Sequence, residues 1–397
     1  MNNVLPMENA NRKVLHDSYL ILALVLTGAL MFLPSSVGEI VSIIYKVLMV
    51  LFFLVYVPRH KNDKMKNGLL GITLLFFGFV HFFRDPSATI FSFVDLLILI
   101  LFCSGNSIMQ RTSYELFRKI FIGICFLGII VFIGFVILGI SPLTIDEFYE
   151  EGTGNQYYNY GVSIILVNQF GFLYRLCGLF NEPGMFGTFA ALILIAEQYN
   201  YKKIGNWIIF IAGIFSFSLA FWALLVISVF CDVLFNRRKS SIIILSCIII
   251  GIGSLATVTT KSANFDRLFS RVALEEGGKL AGDQRTSDEF DAFYDNFKKS
   301  PEKLLFGSSL DPSIIPSSYK RYIVQYGLIL TLMIFIPLFI SIMRMCKKNK
   351  WAYILTICFF VSIYQRPLVI DLIYFVILVG GIQYILYCDE MKKLQIV

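Results

Sequence analysis

The sequence predicts an all-α, polytopic integral membrane protein with about twelve transmembrane helices. Three observations predict it. Of 397 residues, 57% are hydrophobic and only 15% are charged. A soluble domain carries roughly 25% charged and about 45–50% apolar residues. The apolar residues come in continuous blocks, many near the length needed to cross a hydrocarbon layer of about 30 Å. Lys and Arg recur in every second gap between those blocks. Only helices and closed barrels satisfy their backbone polar groups in lipid, and the absence of period-two alternation excludes a barrel.

In chain order the apolar runs are Tyr19–Phe32, Ile40–Val57, Leu69–Phe83, Thr89–Cys103, Ile120–Ile140, Met185–Glu197, Trp207–Phe217, Leu219–Phe235, Ile242–Val258, Tyr322–Ile342, Trp351–Tyr364 and Leu368–Tyr387. Polar residues precede the first run and no small-residue cleavage site follows it, so that helix is expected to be retained. Trp207–Phe235 also reads as one long helix; the loop charges require an extra crossing and split it. Basic clusters at Arg12–Lys13, Arg59–Lys66, Arg111–Lys119, Lys202–Lys203, Arg237–Lys239, Arg344–Lys350 and Lys392–Lys393 occupy alternate gaps. Short basic loops stay in the cytoplasm. Both termini are therefore expected there, and the whole chain forms a single transmembrane domain. Residues 141–184 become an outer loop leading into the next helix, and 261–320 a large outer loop between the ninth and tenth spans. The large loop holds nine basic and ten acidic residues; loops of such length cross largely regardless of charge.

The net charge of +7 follows from these basic loops and does not require nucleic acid as a partner. No P-loop, GxGxxG or HExxH motif is present, which argues against an ATPase, a dehydrogenase or a zinc protease. The eight cysteines contain no CxxC pair. Most lie within apolar runs, as Cys103, Cys125, Cys231, Cys247 and Cys358 do, and read as packing residues rather than disulfides or metal ligands. His16 and His60 read as solvated; His81, near Arg84, reads as a packing or interfacial residue.

The two outer segments hold the candidate chemistry. The first ends in Arg175-Leu-Cys-Gly178-Leu-Phe-Asn-Glu182-Pro183-Gly184-Met-Phe-Gly187 and runs into an apolar helix. Pro183 suits the first turn of that helix, where its missing N–H costs nothing. Glu182 then sits beside the positive end of the helix dipole. Arg175 is a fixed cation able to grip a phosphate through two parallel hydrogen bonds; the same two residues read equally as an ion pair that caps the helix. In the second segment Arg285 precedes an amphipathic stretch. There Phe290, Phe293, Tyr294 and Phe297 form the stripe of a helix lying on the membrane or packed on the bundle. Ser317-Ser318-Tyr319-Lys320-Arg321 leads into the next span, with Arg321 also readable as an interfacial anchor. Arg366 lies at a tight outer turn with Asp371 a few residues on, and Asp95 sits inside an apolar run. Charge at such depth is expensive and usually has a partner or a cavity.

These segments resemble the O-antigen polymerase and O-antigen ligase superfamily of polytopic membrane glycosyltransferases. The local matches are Arg175-x-x-Gly178-x-x-x-Glu182-Pro183, and Arg285 followed by Leu305-Phe306-Gly307 and Gln325-Tyr326-Gly327-Leu328; the architecture matches along most of the chain. The resemblance implies an enzyme that joins undecaprenyl-diphosphate-linked oligosaccharide repeats into O-antigen or capsular polysaccharide at the outer face of a bacterial cytoplasmic membrane. It implies Glu182, Arg175 and Arg285 as catalytic residues, and Arg366, Arg321 and Tyr319 as contacts to diphosphate or glycan. It implies no cofactor or metal, membrane lipid around the helices, and a chain-length regulator and a flippase as partners. The ligase branch relies on a histidine in the late outer loop, and residues 261–320 contain none, which favours the polymerase branch. A ligase-type transferase, or a transporter of lipid-linked glycans, remains the alternative; a transporter is expected to show paired repeats with broken helices, and the sequence displays none.

Overall fold

The computed structural model of the protein describes residues 68–84, 90–147, 156–167, 174–180, 182–236, 288–308, 318–365 and 372–394. The chain order is α1 (Gly68–Arg84), α2 (Ile90–Ser104), α3 (Ser107–Leu138), β1 (Thr144–Glu147), β2 (Gln156–Asn159), β3 (Ile164–Val167), β4 (Tyr174–Gly178), α4 (Pro183–Ala196), α5 (Ile204–Phe215), α6 (Leu219–Asn236), α7 (Asp288–Lys298), α8 (Pro301–Phe306), α9 (Lys320–Met345), α10 (Lys350–Gln365) and α11 (Leu372–Leu394). Among the described residues four helices, α3, α6, α9 and α11, are long and apolar enough to cross a membrane. The protein is a mostly helical membrane protein. Nine of the apolar runs named above fall on helices; Tyr19–Phe32, Ile40–Val57 and Ile242–Val258 lie outside the described residues.

Two expectations change. Helix α3 begins at Ser107 rather than near Ile120, so the basic stretch Arg111–Lys119 is helical and not a loop. The reason is local: Asn106 has extended backbone and its side chain accepts from Met109 N at 2.7 Å, capping the helix thirteen residues ahead of the apolar run. Gly139, in the left-handed region, ends it. Residues 141–184, expected as a loop, contain a four-stranded antiparallel sheet in the order β1-β2-β3-β4. Its strands are four or five residues long, too short to show an alternating pattern in the sequence. Strand β3 is buried on both faces. Ile165 and Val167 join the main core beside Leu176, whereas Ile164 and Leu166 pack with Cys177 on the other side.

The split within Trp207–Phe235 holds: α5 ends at Phe215 and α6 begins at Leu219, with Phe217 at φ 45° in the turn. Helix α4 is the centre of the bundle, touching α5, α6, α10, α11 and β4. All fourteen of its residues are buried. At ~1.5 Å per residue it spans only about 21 Å, less than a bilayer core. Strand β4 packs against it, and non-helical backbone within a membrane protein is tolerated where it is enclosed by protein.

Four of the basic clusters meet at one end of the bundle. Arg118 of α3 lies 2.8 Å from Glu197, Lys203 lies 2.7 Å from the same carboxylate, and Lys203 also reaches the Tyr384 hydroxyl of α11 at 2.6 Å. Arg111 stacks over Tyr387, Lys392 donates to Gln198, and Asn349 donates to Asp389. The clusters Arg12–Lys13, Arg59–Lys66 and Arg237–Lys239 lie outside the described residues. The Glu197 side chain has no exposed surface. Removing one member of a buried ion pair strands the other, at a cost of about 3–5 kcal/mol. Glu197→Ala is therefore expected to destabilise the detergent-solubilised protein by that order. Adding Arg118→Met should recover part of the loss in a double-mutant cycle read by thermal denaturation.

Candidate functional site

The opposite end of the bundle carries the candidate residues. Arg175, on β4, donates from Nε to the Ser216 carbonyl at 3.2 Å and from Nη2 to the Phe217 carbonyl at 3.3 Å. Ser216 caps the C-terminus of α5 and Phe217 is the turn residue that follows it, a place where a cation is favoured. The guanidinium thus braces the turn that holds Phe217 at positive φ. Gly187, one turn into α4, lets that turn approach: a Cβ there would lie 2.5 Å from Ser218 Cβ. Gly178 has φ +62°, and an added Cβ would sit 3.0 Å from Ile124 and Phe186 side-chain atoms. The motif Arg175-x-x-Gly178…Gly187 is in this way one packing unit that joins sheet, central helix and turn.

Glu182 has extended backbone, φ −144° and ψ 140°, and is followed by Pro183 at the first helical position. Its side chain is exposed and makes no capping hydrogen bond. It stands at the head of α4, where a carboxylate is stabilised by the helix dipole.

The second group gathers at the head of α9. The predicted aromatic stripe is helix α7, and it packs on the bundle: Phe290, Tyr294 and Phe297 form a buried cluster with Val324. Lys320 ties α7 to α9 through Asp291 at 3.0 Å and lies over the Tyr294 ring. Burial, reinforced by the neighbouring Tyr319, raises the Tyr294 phenol above its ordinary pKa, while Lys298 opposes the shift; the ring stays neutral. Helix α9 breaks at Gly327, with φ 75° and ψ 166°. The break brings together two motifs that are separate in the sequence. A Cβ on Gly327 would lie 2.4 Å from the Leu305 carbonyl oxygen and 2.5 Å from Gly307 N, and one on Gly307 would lie 2.7 Å from Gly327 N. Ser308 N donates to the Val324 carbonyl at 2.7 Å, and the Thr331 hydroxyl lies 2.6 Å from the Gly327 carbonyl. Two backbones therefore touch directly, and only glycine permits it.

Around this junction Arg321 donates from Nε to Gln325 Oε1 at 3.2 Å. Tyr319 stacks on Tyr364 of α10, ring centroids 4.6 Å apart. His81 of α1 shares a 2.7 Å hydrogen bond with the Tyr326 hydroxyl. Arg285, Arg366 and Asp371 lie outside the described residues. Asp95 is half-buried on α2. Among the described residues no group of three or more His, Cys, Asp or Glu side chains is arranged to hold a metal ion. Sequence reasoning passed over Ser318 and the role of Gln325. Their signal is burial of a polar side chain, which a sequence does not display. His81 was read as packing, and its contact with Tyr326 becomes visible only when α1 meets α9.

No protein-family model matches the chain, and no curated protein matches it in sequence.

Gly327→Ala or Gly307→Ala combines strain at positive φ with overlap of two backbones, and is expected to cost about 2–5 kcal/mol. Limited proteolysis should then cut within residues 288–308, which are protected in the wild type by docking on α9.

Proposed function

We propose that the protein is a polytopic bacterial membrane glycosyltransferase, a polymerase that joins polyprenyl-diphosphate-linked oligosaccharide repeats at the outer face of the cytoplasmic membrane. In this reading about twelve helices cross the bilayer and both termini are cytoplasmic. The observation that carries it is the polarity of the bundle. Its basic-rich end gathers Arg118, Lys203, Lys350 and Lys392 around Glu197, Asp389 and helix-end carbonyls. The opposite end sets Glu182, Tyr319 and Arg321 at the heads of apolar helices and Arg175 beside the C-terminal turn of α5. Basic-rich ends face the cytoplasm. A lipid-linked diphosphate would then meet the second end with its tail in the bilayer and its sugars in water.

The chemistry suits such a site. A hydroxyl of one repeat attacks the anomeric carbon of the glycan on another carrier. The new glycosidic bond forms, the bond from that carbon to the diphosphate oxygen breaks, and the polyprenyl diphosphate departs with the electron pair. Fixed cations facing the leaving group stabilise the charge that develops there; Arg175 and Arg285 are the residues proposed for this, with Arg366 and Arg321 as further contacts to diphosphate or glycan. Glu182 accepts the proton of the attacking hydroxyl, or positions Arg175. Tyr319 contacts the glycan. No cofactor or nucleotide is required. A flippase supplying the substrate and a regulator of chain length are the expected partners.

The test is complementation of a polymerase-null strain of the source organism by wild type, Arg175→Ala, Arg285→Ala and Glu182→Ala at matched expression, read as the surface-glycan ladder on a gel. Wild type should restore the long ladder. The variants should leave single repeats, with activity down about 100-fold or more for loss of a charge-stabilising donor. A null strain that makes polymer of normal length but exports none points instead to a transporter.

A further inference from the structure

The head of α9 contains two buried polar groups with no hydrogen-bond partner among the described residues. Gln325 is 0% exposed, and its Nε2 has no hydrogen-bond partner among the described residues. Ser318 is 7% exposed, and its Oγ is likewise buried and unmatched. Buried amide and hydroxyl groups are nearly always bonded, and an exception calls for a ligand, a water or a function. These two are not scattered. Ser318, Arg321 and Gln325 are three and four residues apart, the spacing that stacks side chains on one helical face. Arg321 N bonds back to the Ser318 carbonyl at 3.0 Å, so the spacing is realised as a turn.

Arg321 also determines how the amide points. Its Nε donates to Gln325 Oε1. The two arms of a carboxamide diverge, so pinning the oxygen directs the NH2 donor away from the guanidinium. The backbone beneath is held just as firmly. Ser308 N bonds the Val324 carbonyl, and Gly307 and Gly327 lock the adjoining strands of chain together. A donor with its orientation imposed, on a braced backbone and with no acceptor among the described residues, has the character of a preorganised recognition group.

The surroundings select the ligand class. Gln325 and Ser318 are neutral, so they suit uncharged oxygens better than a phosphate, whose charge buried against neutral groups would be poorly compensated. Beside them Tyr319 and Tyr364 stack, and Tyr364 is 61% exposed. A pyranose presents an apolar C–H face and a hydroxylated edge. An accessible tyrosine ring suits the first and an amide with a hydroxyl suits the second.

We propose that Ser318 and Gln325 form a sugar-binding subsite that recognises ring hydroxyls of the glycan repeat, with Tyr364 as its apolar platform and Arg321 as the positioning residue that orients the Gln325 amide. The subsite rests on the glycan-polymerase reading above and assigns it two residues and a ligand class.

The test uses the full chain in lipid nanodiscs. The probe is the lipid-free repeat oligosaccharide, released by mild acid from the surface glycan of the source strain. Binding is followed by calorimetry and thermal denaturation for wild type, Gln325→Met, Ser318→Ala and Arg321→Lys. Gln325→Met is expected to weaken binding about tenfold or more, the equivalent of one hydrogen bond to a buried group. Its unliganded melting temperature should change little, because loss of the hydrogen bond from Arg321 is offset by removal of a buried NH2 group without an acceptor. Ser318→Ala should weaken binding by a smaller factor, and Arg321→Lys should weaken it through loss of the oriented amide. A Gln325 that serves only the fold, through an unseen water, would give the reverse: lower stability with binding intact. Wild-type affinity in Gln325→Met and Ser318→Ala overturns the subsite. So does a wild type that binds inorganic pyrophosphate in a Gln325-dependent way and no oligosaccharide, since the site would then be one for anions. The ladder assay separates the two levels. If Arg175→Ala shortens the ladder while Gln325→Met leaves it unaltered, the subsite fails and the polymerase reading stands. A ladder independent of the chain removes both.

Discussion

A chain this apolar has one dominant difficulty, which is what to do with backbone polar groups wherever a helix stops or breaks. Inside a regular helix each carbonyl has its partner. At an end, several lose theirs, and in lipid no water replaces them. The structure meets this with side chains brought from elsewhere in the fold. Gln110 donates to the carbonyls of Phe102, Cys103 and Gly105 where α2 ends. Arg175 donates to those of Ser216 and Phe217 after α5. Thr331 serves the Gly327 carbonyl at the break in α9, and the backbone of Ser308 serves Val324. Each break is tied to a residue distant in sequence or in the next turn, so helix ends and tertiary packing are solved together.

The two ends of the bundle handle charge differently. At one, Glu197 is fully enclosed and answered by Arg118 and Lys203 from separate elements, with Tyr384 completing the set. The buried carboxylate is answered by two cations, and these contacts fasten α3, the end of α4 and α11. At the other end Lys320 pairs with Asp291, and Arg321 pins one arm of Gln325 while its NH2 arm has no acceptor among the described residues.

Glycine has two separate uses here. At Gly187 and Gly380 it permits one element to lie against another: a Cβ at Gly380 would come within 2.5 Å of the Gln110 carbonyl oxygen, beside the π-helical stretch Val376–Gly380 of α11. At Gly307 and Gly327 it supplies positive φ as well, and both are needed for one backbone contact. The second pair explains why two short fragments, Leu305-Phe306-Gly307 and Gln325-Tyr326-Gly327, stand out in the sequence as if they belonged together.

The sequence by itself determined the membrane class, the positions of most of the described apolar helices to within a few residues, and the split at Phe217, because block hydropathy and basic gaps are local properties that solvation imposes directly. It also singled out Arg175, Gly178, Glu182 and Arg321 through their chemical oddity within an apolar context. Tertiary structure decided the rest. The sheet over Thr144–Gly178 was illegible because four-residue strands have no period of their own and are held by their neighbours. The start of α3 at Ser107 depended on a cap and not on hydropathy. That Arg175 braces the turn at Ser216–Phe217 required knowing that this turn arrives beside β4. The Gln325 amide became noteworthy only once burial removed water from it, and burial is a property of the assembled bundle, which no single residue carries.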